Sequence, residues 1–174
     1  LYFEYGTQQP IHRDVPVFRT APENFYLGVW FALEDATPEN GALRVMKGGH
    51  VGAEVDQYEL AERHTNDISQ IDAANSPLWG IYQSEVARLC TSEGMEEISV
   101  PLEKGDVLIW HPLLPHGGGQ ILSPERTRHS MVFHTVPEGC PVYKMDVFFN
   151  REKAEAEDLA SWQYGIDNGR LYKT

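Results

Sequence analysis

The sequence predicts a mainly β fold in which antiparallel sheets fold onto each other as a jelly roll or small barrel. Short segments rich in β-branched and aromatic residues recur along the chain, and turn-forming residues separate them. The turn sequences at 38–41 (PENG) and 103–106 (EKGD) are typical of antiparallel connections. The chain has 174 residues, which suits a single domain with a buried core.

The first expected strand, 8–18 (QQPIHRDVPVF), holds a histidine and an aspartate two residues apart. Further strands are expected where β-branched and aromatic residues cluster between turns. These segments are 26–34, 42–46, 97–102, 106–111, 126–136 and 142–149. Asp106 is expected to fix the turn before the strand that follows it.

Two segments depart from this β pattern. Residues 51–96 are polar, with broken helical periodicity only near 84–89, and are expected to be an insertion: either a lid or binding loop, or surface decoration. Residues 150–165 predict a helix on the outside of the sheets, which begins after Asn150 and ends at Gly165. Because the chain opens on LYFEYG without a methionine, we expect an N-terminal part to be missing.

Composition narrows the classes of partner. Fourteen Lys and Arg against 26 Asp and Glu give a formal charge of −12, which argues against nucleic acid or an anionic membrane surface and favours a small-molecule or protein partner. The two cysteines show no metal-site spacing, so a reducing, cytoplasmic compartment is the default expectation. The apolar runs are too short to suggest a membrane span.

A candidate metal site emerges from three residues. Side chains two apart in a strand share one side, so His12 and Asp14 would face a common point. His116, which precedes three glycines in HPLLPHGGGQ, offers a third ligand. Two histidines and one carboxylate form the facial triad of non-haem Fe(II) oxygenases, which leaves coordination positions open.

These residues, in this order, resemble the phytanoyl-CoA dioxygenase family of Fe(II)/2-oxoglutarate-dependent oxygenases. The matching pieces are QQPIHRD, the segment 29–50 (VWFALEDATPENGALRVMKGGH) and GDVLIWHPLLPHGGGQ, followed by Arg128. The resemblance spans nearly the whole chain apart from 51–96 and the C-terminal segment. It implies a double-stranded β-helix, the cupin-like jelly roll.

The resemblance also implies roles for individual residues. His12, Asp14 and His116 would ligate iron, and Arg128 would bind the distal carboxylate of 2-oxoglutarate, a task that suits the fork of a guanidinium. Trp30 and Glu34 are expected to point inward, where they contact the cosubstrate or the residues that support it, or else serve as core and rim residues. Gly118 stands where the family often has a polar residue that contacts it.

Two rivals to these assignments follow from nearby residues. Arg126 shares strand parity with Arg128, and counting back from His134 by the family pattern favours Arg128. His111 competes with His116; the glycines and the family pattern favour His116, and His111 is then expected to be a hydrogen-bonded core residue. His134 receives no role.

The function implied by the resemblance is hydroxylation of a substrate C–H bond, with O2 consumed and 2-oxoglutarate converted to succinate and CO2. Because the chain is acidic and lacks a basic cluster, a small metabolite or natural-product intermediate is a better expected substrate than a coenzyme A thioester. The alternatives are a jelly-roll metal enzyme that does not use 2-oxoglutarate and a non-catalytic small-molecule binding module.

Overall fold

A computed structural model describes residues 1–156, 161, 164–167 and 170–173 of the protein. The described strands are β1 Tyr2–Phe3, β2 Arg19–Thr20, β3 Leu27–Ala32, β4 Leu43–Met46, β5 Glu97–Val100, β6 Val107–Trp110, β7 His116–Gly118, β8 Ser130–Thr135, β9 Val142–Tyr143, β10 Tyr164–Asp167 and β11 Arg170–Lys173. The described helices are α1 Gln57–His64, a 3-10 turn Ile68–Gln70, α2 Leu78–Ser92, α3 Met145–Phe148 and α4 Arg151–Ala154.

The strands form two larger sheets and two strand pairs. One sheet has the order β1-β8-β3-β6 and the other the order β5-β4-β7, while β2 pairs with β9 and β10 with β11. Every pairing in the described part is antiparallel. The sheet-rich fold that the sequence predicts is thereby confirmed, and five of the expected strands contain β3, β4, β5, β6 and β8. Among the described residues the sheets do not close into a barrel, so the jelly-roll arrangement stays a prediction.

Two hydrophobic clusters hold the sheets and helices together. The smaller one joins both larger sheets, because it contains Trp30 of β3, Leu43 of β4 and Trp110 of β6. The larger one joins the helices to the segment around residue 12, and it includes Ile11 and Val15. The segment that carries His12 and Asp14 therefore lies between the two clusters.

The segment 51–96 contributes much of the larger cluster. Asp56 caps α1 through its side chain, which accepts hydrogen bonds from the backbone N–H groups of Tyr58 and Glu59. The longer helix α2 buries one apolar face, whose members include Leu78, Tyr82, Val86 and Cys90. Since these side chains lie in the core, this segment is more than surface decoration, and α2 is longer than the broken periodicity indicates.

Two of the expected strands are wrong in whole or in part. The segment 8–18 is not a strand, because the Asp14 carbonyl accepts hydrogen bonds from the Val17 and Phe18 N–H groups and the chain turns there. Residues 142–149 form a strand only over Val142–Tyr143 and then continue as α3, whose apolar residues are buried in the larger cluster.

The C-terminal helix is also shorter than predicted. Asn150 does cap a helix, since its side chain accepts a hydrogen bond from the Lys153 N–H, but α4 ends at Ala154. The expected end at Gly165 lies within strand β10. The intervening part of the prediction, 157–160 and 162–163, lies outside the described residues.

Two further findings bear on the predictions. Asp106 fixes its turn as expected, because its carboxylate accepts a hydrogen bond from the Glu103 N–H at 2.9 Å. None of the helices in the described part is both long and apolar enough to cross a bilayer.

Candidate metal and cosubstrate site

The residues around position 12 alternate between two environments. Ile11 and Val15 are buried in the larger hydrophobic cluster, whereas His12 and Asp14 line a small cavity. Side chains two apart in an extended chain face the same way, so this alternation survives although the segment is not a regular strand. The predicted juxtaposition of His12 and Asp14 is present.

The peptide between these two side chains is held by Gln83 of α2. The Arg13 N–H donates to Gln83 Oε1 at 2.9 Å, and Gln83 Nε2 donates to the Arg13 carbonyl oxygen at 2.8 Å. One amide side chain thus satisfies both backbone groups, as a neighbouring strand would. Sequence reasoning missed Gln83 because it lies 70 residues from its partner.

His116 begins β7 and is brought against His12 by a backbone bridge. The N–H of each residue donates to the carbonyl oxygen of the other, at 2.8 and 3.0 Å. A Cβ at Gly118 would lie 1.7 Å from the Thr7 carbonyl oxygen, so only glycine admits the N-terminal segment here. Gly118 is not among the described residues that line the cavity.

The ligand atoms of His12, Asp14 and His116 all lie within 4.8 Å of one another. His12 Nε2 is 3.5 Å from Asp14 Oδ1, and His116 Nε2 is 3.4 Å from Asp14 Oδ2. Ligand atoms bound about 2.1 Å from a shared ion have separations of this order. The three side chains can therefore hold a metal ion.

Both imidazoles present the nitrogen that a metal needs. Nδ1 of His12 lies 2.8 Å from the Pro10 carbonyl oxygen, and Nδ1 of His116 lies 2.9 Å from that of Leu114. A carbonyl oxygen only accepts hydrogen bonds, so each Nδ1 carries a proton, which leaves Nε2 as the nitrogen that can bind a metal. These backbone contacts also fix the orientation of the rings.

The third ligand, Asp14, is an anion. It is 8% exposed. Burial acts to raise its pKa, but hydrogen bonds from His116, His12 and His134 hold the pKa well below its usual range. The carboxylate is thus ionised near neutral pH, as a metal ligand must be.

His134 is a member of the site to which the sequence assigned no role. Its Nε2 donates to Asp14 Oδ2 at 2.9 Å, and its ring stacks on Phe18 with the ring centroids 4.0 Å apart. Because Nε2 carries that proton, His134 orients the carboxylate and does not ligate. Strand alternation could have indicated it, since Arg128, Val132 and His134 share parity and line the same cavity.

Arg128 lies in the same cavity with part of its hydrogen-bonding capacity unused. It is 2% exposed, and Nη1 donates to the Gly41 carbonyl oxygen while Nε has no partner. No described carboxylate pairs with it. Burial lowers the pKa of Arg128, and a buried cation without a counter-ion is costly, so the site favours an incoming anion. Its Cζ lies 5.6 Å from the ring centroid of Trp30, which also lines the cavity.

Arg126, the rival to Arg128, lies elsewhere. It is exposed, and Nη1 approaches Thr37 Oγ1 at 3.5 Å in a separate, polar surface pocket. Of the two arginines, Arg128 is the one that shares a cavity with the metal ligands.

The backbone on both sides of Arg128 is held by one carboxylate. Glu34 accepts hydrogen bonds from the His129 N–H at 2.6 Å and from Thr127 Oγ1 at 3.0 Å. Glu34 therefore holds the chain on both sides of Arg128, and it lies outside the cavity.

His111, the rival to His116, is exposed at the surface. Its Nδ1 accepts a hydrogen bond from the Leu113 N–H at 3.2 Å, and its ring lies beside His50. The expectation of a hydrogen bond is confirmed, but the expected core position is wrong, because His111 begins a turn in which its carbonyl oxygen accepts a hydrogen bond from the Leu114 N–H.

The cavity itself has a volume of about 110 Å³ and joins the metal ligands to Arg128. Its apolar walls come from Trp30 and Leu43, and Trp110 packs on the His116 ring with the centroids 4.8 Å apart. Because Asp14 and Arg128 are both buried here, their charges interact with other charges more strongly than at a surface.

A family model described as phytanoyl-CoA dioxygenase (PhyH) matches residues 2–130, which is more than half of the chain. The chain belongs to the phytanoyl-CoA dioxygenase family. Within the family, it is 30% identical over 115 residues to the peroxisomal phytanoyl-CoA dioxygenase of Homo sapiens, an alignment that covers 66% of this chain and 29% of that protein. It is 27% identical over 170 residues to the Bos taurus protein of the same name, covering 95% and 44%. The chain thus spans less than half the length of these curated relatives.

Solved structures share the fold of this family member. The epimerase SnoN, solved in complex with Fe3+, alpha ketoglutarate and nogalamycin RO, superposes with a TM-score of 0.58 at 19% identity, covering 97% of this chain and 60% of that one. The carbocyclase SnoK from nogalamycin biosynthesis gives a TM-score of 0.55 at 17% identity, covering 94% and 56%. At such identities the likeness concerns the fold alone.

Proposed function

We propose that this chain is the catalytic part of an Fe(II)- and 2-oxoglutarate-dependent dioxygenase that hydroxylates a C–H bond of a small metabolite or natural-product intermediate, with release of succinate and CO2. The observation that carries the proposal is one small cavity in which a His, Asp, His set faces a buried arginine without a counter-ion. In the same proposal the two larger sheets are the two faces of a double-stranded β-helix.

The residues present fit an iron ion. His12 and His116 would each give Nε2, and Asp14 would give a carboxylate oxygen, which is a donor set suited to Fe(II). The ion, with 2-oxoglutarate and O2 bound, would supply the oxidative chemistry that the protein's own side chains lack. The chain's contribution is to hold the imidazoles by backbone carbonyls, keep Asp14 ionised and orient it through His134.

The same cavity fits a dicarboxylic cosubstrate. Arg128 would bind the distal carboxylate of 2-oxoglutarate through donors that include the free Nε, and the anion would neutralise a buried cation. Trp30 lies against the guanidinium and limits its movement. Since Glu34 fixes the backbone around Arg128, the arginine can meet the carboxylate without rearranging.

The experiment that tests this proposal is an anaerobic titration of Fe(II) and 2-oxoglutarate into metal-free protein, followed by the visible charge-transfer band of the chelate. We expect the wild type to develop the band and Asp14→Ala to lose it. Arg128→Ala should need about ten- to a hundredfold more 2-oxoglutarate, because a charge-assisted hydrogen bond to a carboxylate contributes about 1.5–3 kcal/mol. Arg126→Ala is the matched control and should titrate like the wild type.

Other outcomes would change the proposal in defined ways. Folded, iron-loaded protein that develops no band would remove 2-oxoglutarate and favour a metal enzyme of another kind. Loss of affinity in Arg126→Ala, with Arg128→Ala unaffected, would exchange the two arginines. Succinate release that tracks oxidation of an acyl-CoA ahead of free metabolites would reverse the expected substrate class.

A further inference from the structure

A groove lies beside the metal site, between α2 and the segment that carries His12. It has a volume of about 330 Å³; the segment 9–12 forms one wall, and Trp79, Gly80, Gln83, Ser84 and Ala87 form the other. We propose that this groove binds the substrate and selects an uncharged molecule with a flat apolar face. This inference rests on the proposed function, since it assigns the oxidised compound to a place next to the metal.

The groove meets the metal cavity at two residues. His12 and Gln9 line both spaces. The ring centroid of Trp79 lies 6.3 Å from that of His12, so a molecule against the indole also lies against a metal ligand. A substrate held there has its reacting carbon on the metal side of the groove.

The lining of the groove argues for a neutral occupant. None of its described lining residues is a lysine, arginine, aspartate or glutamate. The polar side chains on the α2 wall are already engaged, because both ends of the Gln83 amide bind Arg13 and Ser84 Oγ donates to the Gly80 carbonyl oxygen at 2.9 Å. On the opposite wall the side-chain amide of Gln9 is uncharged. A charged group placed here would lose water without gaining an ion-pair partner.

The shape of the groove argues for a flat apolar face on that occupant. Trp79 offers a broad aromatic wall, and such walls pack best against planar apolar groups. Gly80 keeps the adjacent space open, since a Cβ built there would meet no heavy atom within 4 Å. A larger side chain at this position would therefore fill the groove without displacing the backbone.

The test uses three naphthalene compounds that share a ring and differ in charge: neutral 2-naphthol, anionic 2-naphthoate and cationic 2-naphthylmethylammonium. Their binding to protein loaded anaerobically with Fe(II) and 2-oxoglutarate is measured by calorimetry. We expect 2-naphthol to bind at least tenfold more tightly than either charged compound. Gly80→Leu and Trp79→Ala should each weaken its binding at least tenfold, and leucine favours a helix more than glycine does, so Gly80→Leu should fold.

The control variant is Ser92→Leu, which also introduces a leucine, at an exposed position of α2 outside the groove, and should bind 2-naphthol like the wild type. Equal or tighter binding of a charged compound, no binding of 2-naphthol, or undiminished binding in Gly80→Leu would overturn the inference. The charge-transfer band, recorded for each variant, separates the two proposals. Binding of 2-naphthol without a charge-transfer band would contradict only the proposed function. A normal band together with undiminished 2-naphthol binding in Gly80→Leu would contradict only the assignment of the groove as the substrate site.

Discussion

At the scale of single residues, the site depends on how Asp14 is held. The carboxylate lies 3.5 and 3.4 Å from Nε2 of His12 and His116, and it accepts a hydrogen bond from His134 at 2.9 Å. Nε2 of each of the first two histidines would bind the ion, whereas His134 would stay hydrogen-bonded to the carboxylate. Its ring cannot swing away easily, because it stacks on Phe18.

We therefore expect His134→Leu to weaken metal binding by about ten- to a hundredfold, the usual loss when a partner of a metal ligand is removed. The dissociation constant for Mn(II), measured by electron paramagnetic resonance, checks this. His134→Gln retains an N–H donor near the same place and should recover most of the affinity. Equal affinity in wild type and His134→Leu would show that Asp14 needs no support from this side.

At the scale of elements, a side chain of α2 makes the hydrogen bonds that a neighbouring strand would make to the segment from His12 to Asp14. The Gln83 amide pairs with both backbone groups of Arg13, whose side chain is itself buried. No strand lies on that side to accept or donate those hydrogen bonds in the described part of the chain. The two candidate metal ligands His12 and Asp14 are therefore positioned by a helix from the 51–96 segment.

We expect Gln83→Leu to lower the free energy of unfolding by about 1–3 kcal/mol, because it leaves a buried N–H and a buried C=O unsatisfied. Urea denaturation of the metal-free protein measures this loss, and Mn(II) affinity should fall in parallel. Ser84→Ala is the neighbouring control, since its hydroxyl bonds only within the helix. If Ser84→Ala lost as much stability as Gln83→Leu, the effect would belong to the helix and not to the hydrogen bonds between Gln83 and Arg13.

The same scale shows which features the sequence could predict. Local alternation correctly indicated β3, β4 and β8 and placed His12 and Asp14 on one side, because it depends on residues next to each other. It failed over 142–149 (VYKMDVFF), where short apolar stretches interrupted by Lys144 and Asp146 fit a strand or a buried helix equally well, and the chain forms α3.

The features that sequence patterns did not reveal depend on distant contacts. His134 meets Asp14 across 120 residues, and Gln83 meets Arg13 across 70. In a site built from such long-range contacts, sequence patterns can identify the candidate ligands but not the residues that support them.

At the scale of the whole molecule, a bound ion would join parts of the chain that are far apart. His12 and Asp14 belong to the N-terminal segment, His116 belongs to the sheet of β4 and β5, and His134 connects Asp14 to the sheet of β3. A metal ion that binds only the folded chain must stabilise it, by about 2.7 kcal/mol at a hundred times its dissociation constant. Each kcal/mol raises the melting temperature of a chain this size by about 2–4 °C.

We therefore expect saturating Mn(II), used as a redox-inert substitute for iron, to raise the melting temperature by about 5–10 °C, and 2-oxoglutarate to add a further increase only when the metal is present. Differential scanning calorimetry of the same protein with and without each ligand measures both steps. Asp14→Ala should lose both increments, whereas Arg128→Ala should keep the first and lose most of the second, because only the cosubstrate depends on the guanidinium. An increase from 2-oxoglutarate without metal, or a full Mn(II) increase in Asp14→Ala, would mean that these ligands bind outside the cavity between the two sheets.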